Sequence, residues 1–180
     1  MHLLLLPTLL LTGGAEAKSL AGVSMADTAK VGGQPVTLNG MGLREKYFID
    51  IYVGGLYLSH PTHDGATAIA ADEPKEVLMH FIYKEVTRDQ MIETFTEGFG
   101  AAINGPQAGN IAKMESWIPA AVKAGEEMTF TYVPGTGTSL LVNGRVAGTI
   151  PGAEFMKLVW GVYLGPKPPT ADLKSGMLGG

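Results

Sequence analysis

The stretch Leu38–Leu58, LNGMGLREKYFIDIYVGGLYL, constrains this chain more than any other. It is the longest strand-like run in the sequence, and from Glu45 onward it reads with the period of two that a β-strand imposes. One face collects Tyr47, Ile49, Ile51, Val53, Gly55 and Tyr57, the composition of a core-facing row. The other collects Arg44, Lys46, Phe48, Asp50, Tyr52 and Gly54. That mixture of charge and aromatic ring suits a wet edge or the wall of a binding cleft. The Gly54-Gly55 pair predicts a bulge, a bend, or a close approach by another backbone or a ligand. Just upstream, Val36-Thr37-Leu38 is strand-like and Asn39-Gly40 is a tight-turn signal.

Composition bounds what such a stretch can belong to. A chain of 180 residues, 46% of them hydrophobic, is most simply one domain with a sizeable core. The net charge of -4 and the lack of clustered Lys and Arg argue against nucleic acid as a partner, because phosphate binding needs concentrated positive charge. There is no cysteine, so disulfides, thiolate metal sites and a cysteine nucleophile are all excluded.

The N-terminus reads as an export signal. Residues 3–11, LLLLPTLLL, are too short for a membrane helix, which needs about 20 apolar residues. Ala15-Glu16-Ala17 then supplies a small-x-small cleavage pattern. The expectation is a signal peptide over residues 1–17, with Ala21 as an alternative cleavage point, and export, most simply to the periplasm. Residues 18–34 read as a linker with a first short strand, and residues 35–180 as the mature domain. No later segment is long and apolar enough to span a membrane.

Beyond Leu58 the elements alternate. Ala66 to Asp72 predicts a short helix. Val77 to Tyr83, VLMHFIY, predicts a central strand covered on both faces. Thr87 to Gln90 forms a capping-box pattern ahead of Met91, Ile92, Phe95, Phe99 and Ile103 at helical spacing. A second helix is expected from Asn110 to Lys123, with Pro119 marking a kink or break. Met128, Phe130 and Tyr132 alternate as a strand. Ser139 to Ile150 reads as a hairpin about Asn143-Gly144, the preferred type I′ pair. Gly152 to Tyr163 predicts a last long helix with Phe155, Leu158, Val159 and Val162 inward, and Thr170 caps a final turn. This order implies an α+β fold with an antiparallel sheet covered by helices on one face.

Few residues point to chemistry. His60-x-x-His63-Asp64 has loose metal spacing, but it sits in a Pro/Gly loop with no third ligand, so a solvated loop is the simpler reading and no metal is expected. His80, inside an apolar strand, reads as a core histidine with a satisfied hydrogen bond. No nucleophile elbow, phosphate loop or dinucleotide fingerprint occurs, and no cofactor is implied. Glu93 and Glu97 fall at i, i+4 on a solvated helix flank. Arg44 remains. It follows Gly40-x-Gly42, and its guanidinium could hold a carboxylate or an enolate-like oxygen in two-point fashion. The plainer reading is a surface arginine at a strand start.

Three segments carry a family resemblance: Leu38–Leu58, the hairpin LLVNGRVAGTIPGAEF (Leu140–Phe155), and the ending VWGVYLGPKPPTADLKSGMLG (Val159–Gly179). Their order and spacing resemble the chalcone isomerase-like superfamily, in its bacterial branch of exported proteins, over about residues 20–180. The resemblance implies an open-faced β-sandwich, a large antiparallel sheet packed against a layer of helices with a ligand cleft between them. The family holds plant enzymes that close a chalcone to a flavanone, fatty-acid-binding plastid relatives and non-catalytic helpers. Arg44, in GMGLR, matches the arginine that stabilises the attacking phenolate in the enzymes. Tyr52 stands where the enzymes carry a threonine, and looks more like the fatty-acid-binding branch, in which Arg and Tyr hold a carboxylate. The enzymes' catalytic tyrosine falls at Gln90, their pocket asparagine at Glu97 and a last-helix threonine at Leu158, so chalcone cyclisation is not implied.

Two functions follow from the resemblance. The first is an exported, non-catalytic protein binding a small amphipathic ligand such as a fatty acid, with Arg44 and Tyr52 as ligand-binding residues. The alternative is an isomerase or intramolecular lyase acting on an enone or phenolic compound, with Arg44 as its catalytic residue. One geometric condition attaches to the Arg44–Tyr52 pair. Eight residues of straight strand span about 26 Å, so both reach one headgroup only if the chain folds back between them.

Overall fold

The computed structural model describes residues 17–180. The segment expected to be an export signal lies outside the described residues, except that Ala17 opens the first strand and Ala21 sits in the turn after it.

Residues 18–34, expected as a linker with a first short strand, are strands and tight turns almost throughout. β1 (Ala17–Leu20) and β2 (Val23–Ala26) form a hairpin of their own about Ala21-Gly22. β3 (Thr28–Val31) then turns through Gly32-Gly33 into β4 (Gln34–Lys46). Only Val23, Met25 and Val31 of these first strands are buried. Three apolar anchors among small polar residues leave too faint a period-two signal to separate strand from linker.

The opening stretch is two strands. β4 reverses at Tyr47-Phe48 and β5 (Ile49–Leu58) returns antiparallel, pairing Lys46 with Ile49, Arg44 with Tyr52 and Gly42 with Gly54. Tyr47 and Phe48 take φ of 53° and 62°, the left-handed pair of a two-residue hairpin turn. Such turns normally select Asn and Gly, so a Tyr-Phe turn carries no turn signal. The expected core positions Tyr47 and Ile49 are therefore exposed, because they lie at the hairpin tip. Asn39-Gly40, expected as a turn, is instead a register shift within β4. Its Asn39 side chain donates to the carbonyls of Thr62 (3.0 Å) and Met177 (2.9 Å) and accepts from the Thr62 amide (2.8 Å).

The remaining strands are β6 (Lys75–Phe81), β7 (Glu85–Thr87), β8 (Ala121–Lys123), β9 (Glu127–Val133), β10 (Gly137–Val142) and β11 (Arg145–Ile150). β7 and β8 pair with each other. The main sheet has seven strands in the order β11-β10-β9-β6-β5-β4-β3, with every neighbouring pair antiparallel. The helices are α1 (Gly65–Ala70), α2 (Arg88–Phe99), α3 (Ala108–Ser116), α4 (Ala153–Leu164) and α5 (Ala171–Met177). Together they cover one face of the sheet and bury Met79, Phe81, Phe95, Phe130, Val159 and Trp160 against it. This is the open-faced sandwich of the α+β class. Each such side chain contributes about 1.5–3 kcal/mol of burial.

The opposite face holds a smaller cluster of Val23, Met25, Val36, Leu38, Val53 and Tyr57 beneath the β1–β2 hairpin. That cover is partial. β6 is central, but only its helix-facing row is fully buried, while Glu76, Leu78 and His80 are half-buried. His80 bonds the Glu127 carboxylate at 2.9 Å on this second face rather than lying in the core. The second helix also ends early. α3 stops at Ser116, and past Pro119 the chain becomes β8, because proline cannot supply the helical N–H.

α5 explains the glycines of the opening stretch. It lies across β4 so closely that a Cβ on Gly40 or Gly42 would collide with its backbone, and one on Gly54 with the Leu173 and Met177 side chains. On the other face, Met25 fills the space at Gly55. The adjacent glycines thus accept one neighbour from each side of the sheet.

Candidate ligand site

The hairpin reversal is what builds the site. Directly paired residues in an antiparallel ladder point to the same face, so Arg44 and Tyr52 both turn toward the helices. The Arg44 guanidinium carbon lies 5.7 Å from the Tyr52 ring centroid, within the range of a cation–π contact. Arg44 Nη2 donates to Thr94 Oγ1 at 3.0 Å, and that hydroxyl donates onward to the Gln90 carbonyl one turn back on α2, also at 3.0 Å. With its proton committed to the helix, Thr94 can only accept from Arg44.

Arg44 is 8% exposed. Its Nε is buried without a hydrogen-bond partner, and none of the ion pairs among the described residues includes it. A guanidinium stays charged at any ordinary pH, and a buried charge without a counter-charge costs several kcal/mol. An anion donated from outside the chain would remove that cost.

Two phenols stand beside it. Burial pushes the Tyr52 hydroxyl up to about 12, with the Arg44 charge pulling the other way. Burial raises Tyr163 well above its usual range, and nearby Tyr52 adds to the effect while Arg44 opposes it. Both therefore remain protonated donors near neutral pH. Tyr163 Oη contacts Met79 Sδ at 3.2 Å. Among the described residues, no histidine or carboxylate lines this inner space.

The inner cavity has a volume of about 20 Å³ and is lined by Arg44, Tyr52, Met79, Met91, Phe95 and Tyr163, among others. That holds about one water molecule. An outer cavity of about 220 Å³ opens beside the hairpin tip, bounded by Lys46, Tyr47, Ile51, Tyr83, Gln90 and Glu93. Arg44, Val86 and Thr94 belong to both, so the guanidinium stands at the neck between an apolar interior and an open vestibule. Lys46 and Glu93 pair loosely across the vestibule at 3.7 Å.

Of the other sequence candidates, Gln90 and Glu93 lie in the vestibule wall, and the rest stay apart from the neck. Gln90 closes the capping box with Thr87, and Glu97 is exposed. Leu158 is half-buried on α4 and lines neither cavity. His60 bonds Glu73 (2.6 Å), His63 bonds the Leu178 carbonyl (2.5 Å) and Asp64 caps α1. No cluster of three metal-binding side chains exists among the described residues. Thr94 and Tyr163 were missed. Thr94 has only its place three residues after Met91 on α2 to mark it. Tyr163 had no signal, since α4 buries residues on nearly all sides and shows no stripe.

A seven-stranded antiparallel sheet roofed by helices, with an arginine at the neck of an apolar cavity between the layers, defines an open-faced sandwich. The chain belongs to the chalcone isomerase-like family, whose profile matches residues 17–179. Among solved structures it is similar to the crystal structure of a fatty-acid binding protein from Arabidopsis thaliana, with a TM-score of 0.73 and 15% identity. The match covers 91% of this chain and 96% of that one, and at this identity it carries the fold. No curated protein matches the chain.

Proposed function

We propose that this chain is an exported, non-catalytic protein of the family's bacterial branch that binds a small amphipathic anion such as a fatty acid. Arg44 holds the carboxylate, Tyr52 donates to it, and the alkyl chain lies between the sheet and the helices. The observation that carries this reading is the buried Arg44 guanidinium, without a carboxylate partner among the described residues, at the mouth of an apolar space. The similar Arabidopsis protein is described as a fatty-acid binding protein, which supports the same reading.

The inner cavity must open to admit an alkyl chain. Met79, Met91 and Met128 line it, and unbranched thioether side chains re-pack at low cost. The isomerase alternative would have to use Arg44 as an anion stabiliser and two tightly protonated phenols as its acid–base groups, which disfavours it. Export rests on the apolar run at residues 3–11 and on Ala15-Glu16-Ala17. A periplasmic protein beginning at Lys18 or Gly22 supports it, and an uncleaved cytoplasmic chain contradicts it.

Native mass spectrometry of protein purified from its own host tests the binding reading. The expected result is a co-purifying fatty acid that Arg44→Ala loses. Wild-type protein that carries no lipid and takes up none when it is offered overturns the proposal.

A further inference from the structure

The β4–β5 hairpin tip is costly and unexplained by the fold. Phe48 is 96% exposed, Tyr47 83% and Ile49 41%, three large apolar residues in a row. Tyr47 and Phe48 also hold positive φ, a strained conformation for a residue with a side chain. The same chain makes the equivalent turn without that penalty at Asn143-Gly144, with φ of 49° and 74°. Packing does not require aromatic rings at residues 47 and 48, because Phe48 touches solvent almost everywhere.

The location supplies a reason. Lys46, Tyr47, Ile49 and Tyr83 line the vestibule that leads to Arg44. Lys46 lies 5.8 Å from the Tyr47 ring and Lys84 lies 6.0 Å from the Tyr83 ring. Behind the tip, Glu45 and Asp50 face each other across the ladder. The rim therefore combines aromatic rings with Lys46, Lys84 and the Glu93 carboxylate that pairs loosely with Lys46, and Glu45 and Asp50 add two more carboxylates behind the tip. A zwitterionic phospholipid surface complements this mixture: its phosphates meet Lys46 and Lys84, its ammonium groups meet Glu45, Asp50 and the ring faces, and its acyl boundary takes Phe48. An anionic surface would be opposed by the carboxylate pair.

We propose that the Tyr47-Phe48 tip docks the protein onto a zwitterionic bilayer, so that the vestibule opens at the lipid surface from which an amphipathic ligand is taken. The ligand half of this statement rests on the function proposed above, and the docking half rests on the tip alone.

Flotation with phosphatidylcholine vesicles tests it, using wild type, Phe48→Gly and Phe48→Trp. Wild type floats. Phe48→Gly, which relieves the positive-φ strain and keeps the fold, lowers the partition coefficient by about fivefold or more, roughly 1 kcal/mol. Phe48→Trp retains wild-type partition, with its emission shifted to the blue on vesicles. A wild type that stays in solution, or a Phe48→Gly variant that floats equally well, overturns the inference. Binding of a dispersed fluorescent fatty acid, measured without vesicles, is expected to be equal in wild type and Phe48→Gly. If that probe binds while flotation fails, only the docking idea falls. If flotation depends on Phe48 while the probe does not bind, only the ligand reading falls.

Discussion

Arg44 and Tyr52 face each other directly across the β4–β5 ladder, with the guanidinium carbon 5.7 Å from the ring centroid. They lie eight positions apart in sequence, and a two-residue turn removes that separation. The pair presents a fixed positive charge and a protonated phenol on one side of one neck. That arrangement can receive a carboxylate, and it offers no base to start proton abstraction.

Tyr52→Phe separates the phenol's role from that of the charge. The hydroxyl is buried and Arg44 keeps its hydrogen bond to Thr94, so the fold should be retained. Fatty-acid affinity is expected to fall about five- to tenfold, the loss of one hydrogen bond worth about 1–1.5 kcal/mol. A displacement titration with a fluorescent fatty acid measures it, and unchanged affinity removes Tyr52 from the site.

Gly42→Ala tests how the hairpin is held. Its Cβ would meet the Leu173 backbone on α5, and backbone cannot yield as a side-chain tip does. The expected cost is about 2 kcal/mol or more, from strain or displacement of α5. Urea unfolding checks this, and a loss below about 0.5 kcal/mol would show that α5 is not seated as described.

Glu76 sets a pH dependence on the far face of the sheet. Burial, and then the Glu127 charge, push its carboxyl up from the ordinary 4.5 to about 7. Between those two values the folded chain keeps a proton that the unfolded chain releases. Stability from this group therefore falls as pH rises from about 4.5 to about 7 and is level above that. Glu76→Gln should flatten this window and raise stability at pH 8 by about 2–3 kcal/mol. Thermal unfolding of both proteins between pH 4 and pH 8 measures the difference. Parallel curves would contradict the assignment.

These variants also show which parts of the molecule were legible. Asn143-Gly144 and the Thr87–Gln90 box specify local geometry by themselves, and both lie where the sequence puts them. Tyr47-Phe48 forms the same kind of turn as Asn143-Gly144 from residues that disfavour it, so the hairpin that builds the site is silent in the sequence. Gly40-x-Gly42 was visible as a glycine pattern, but its cause is α5, more than 120 residues downstream in the chain. Arg44 stood out by its chemistry. Its contact with Thr94 depends on how α2 packs, and period and spacing do not encode that.

The most direct test of the account is a displacement titration of a fluorescent fatty acid at pH 7.5, comparing wild type with Arg44→Gln. Glutamine keeps polarity and much of the volume while removing an unpaired buried charge, so the variant should be at least as stable as wild type. Wild type is expected to bind saturably, and Arg44→Gln about 30-fold more weakly or worse, the loss of a buried charge-assisted contact of about 2 kcal/mol or more. Equal binding by a folded Arg44→Gln, or no binding by wild type, would contradict the account.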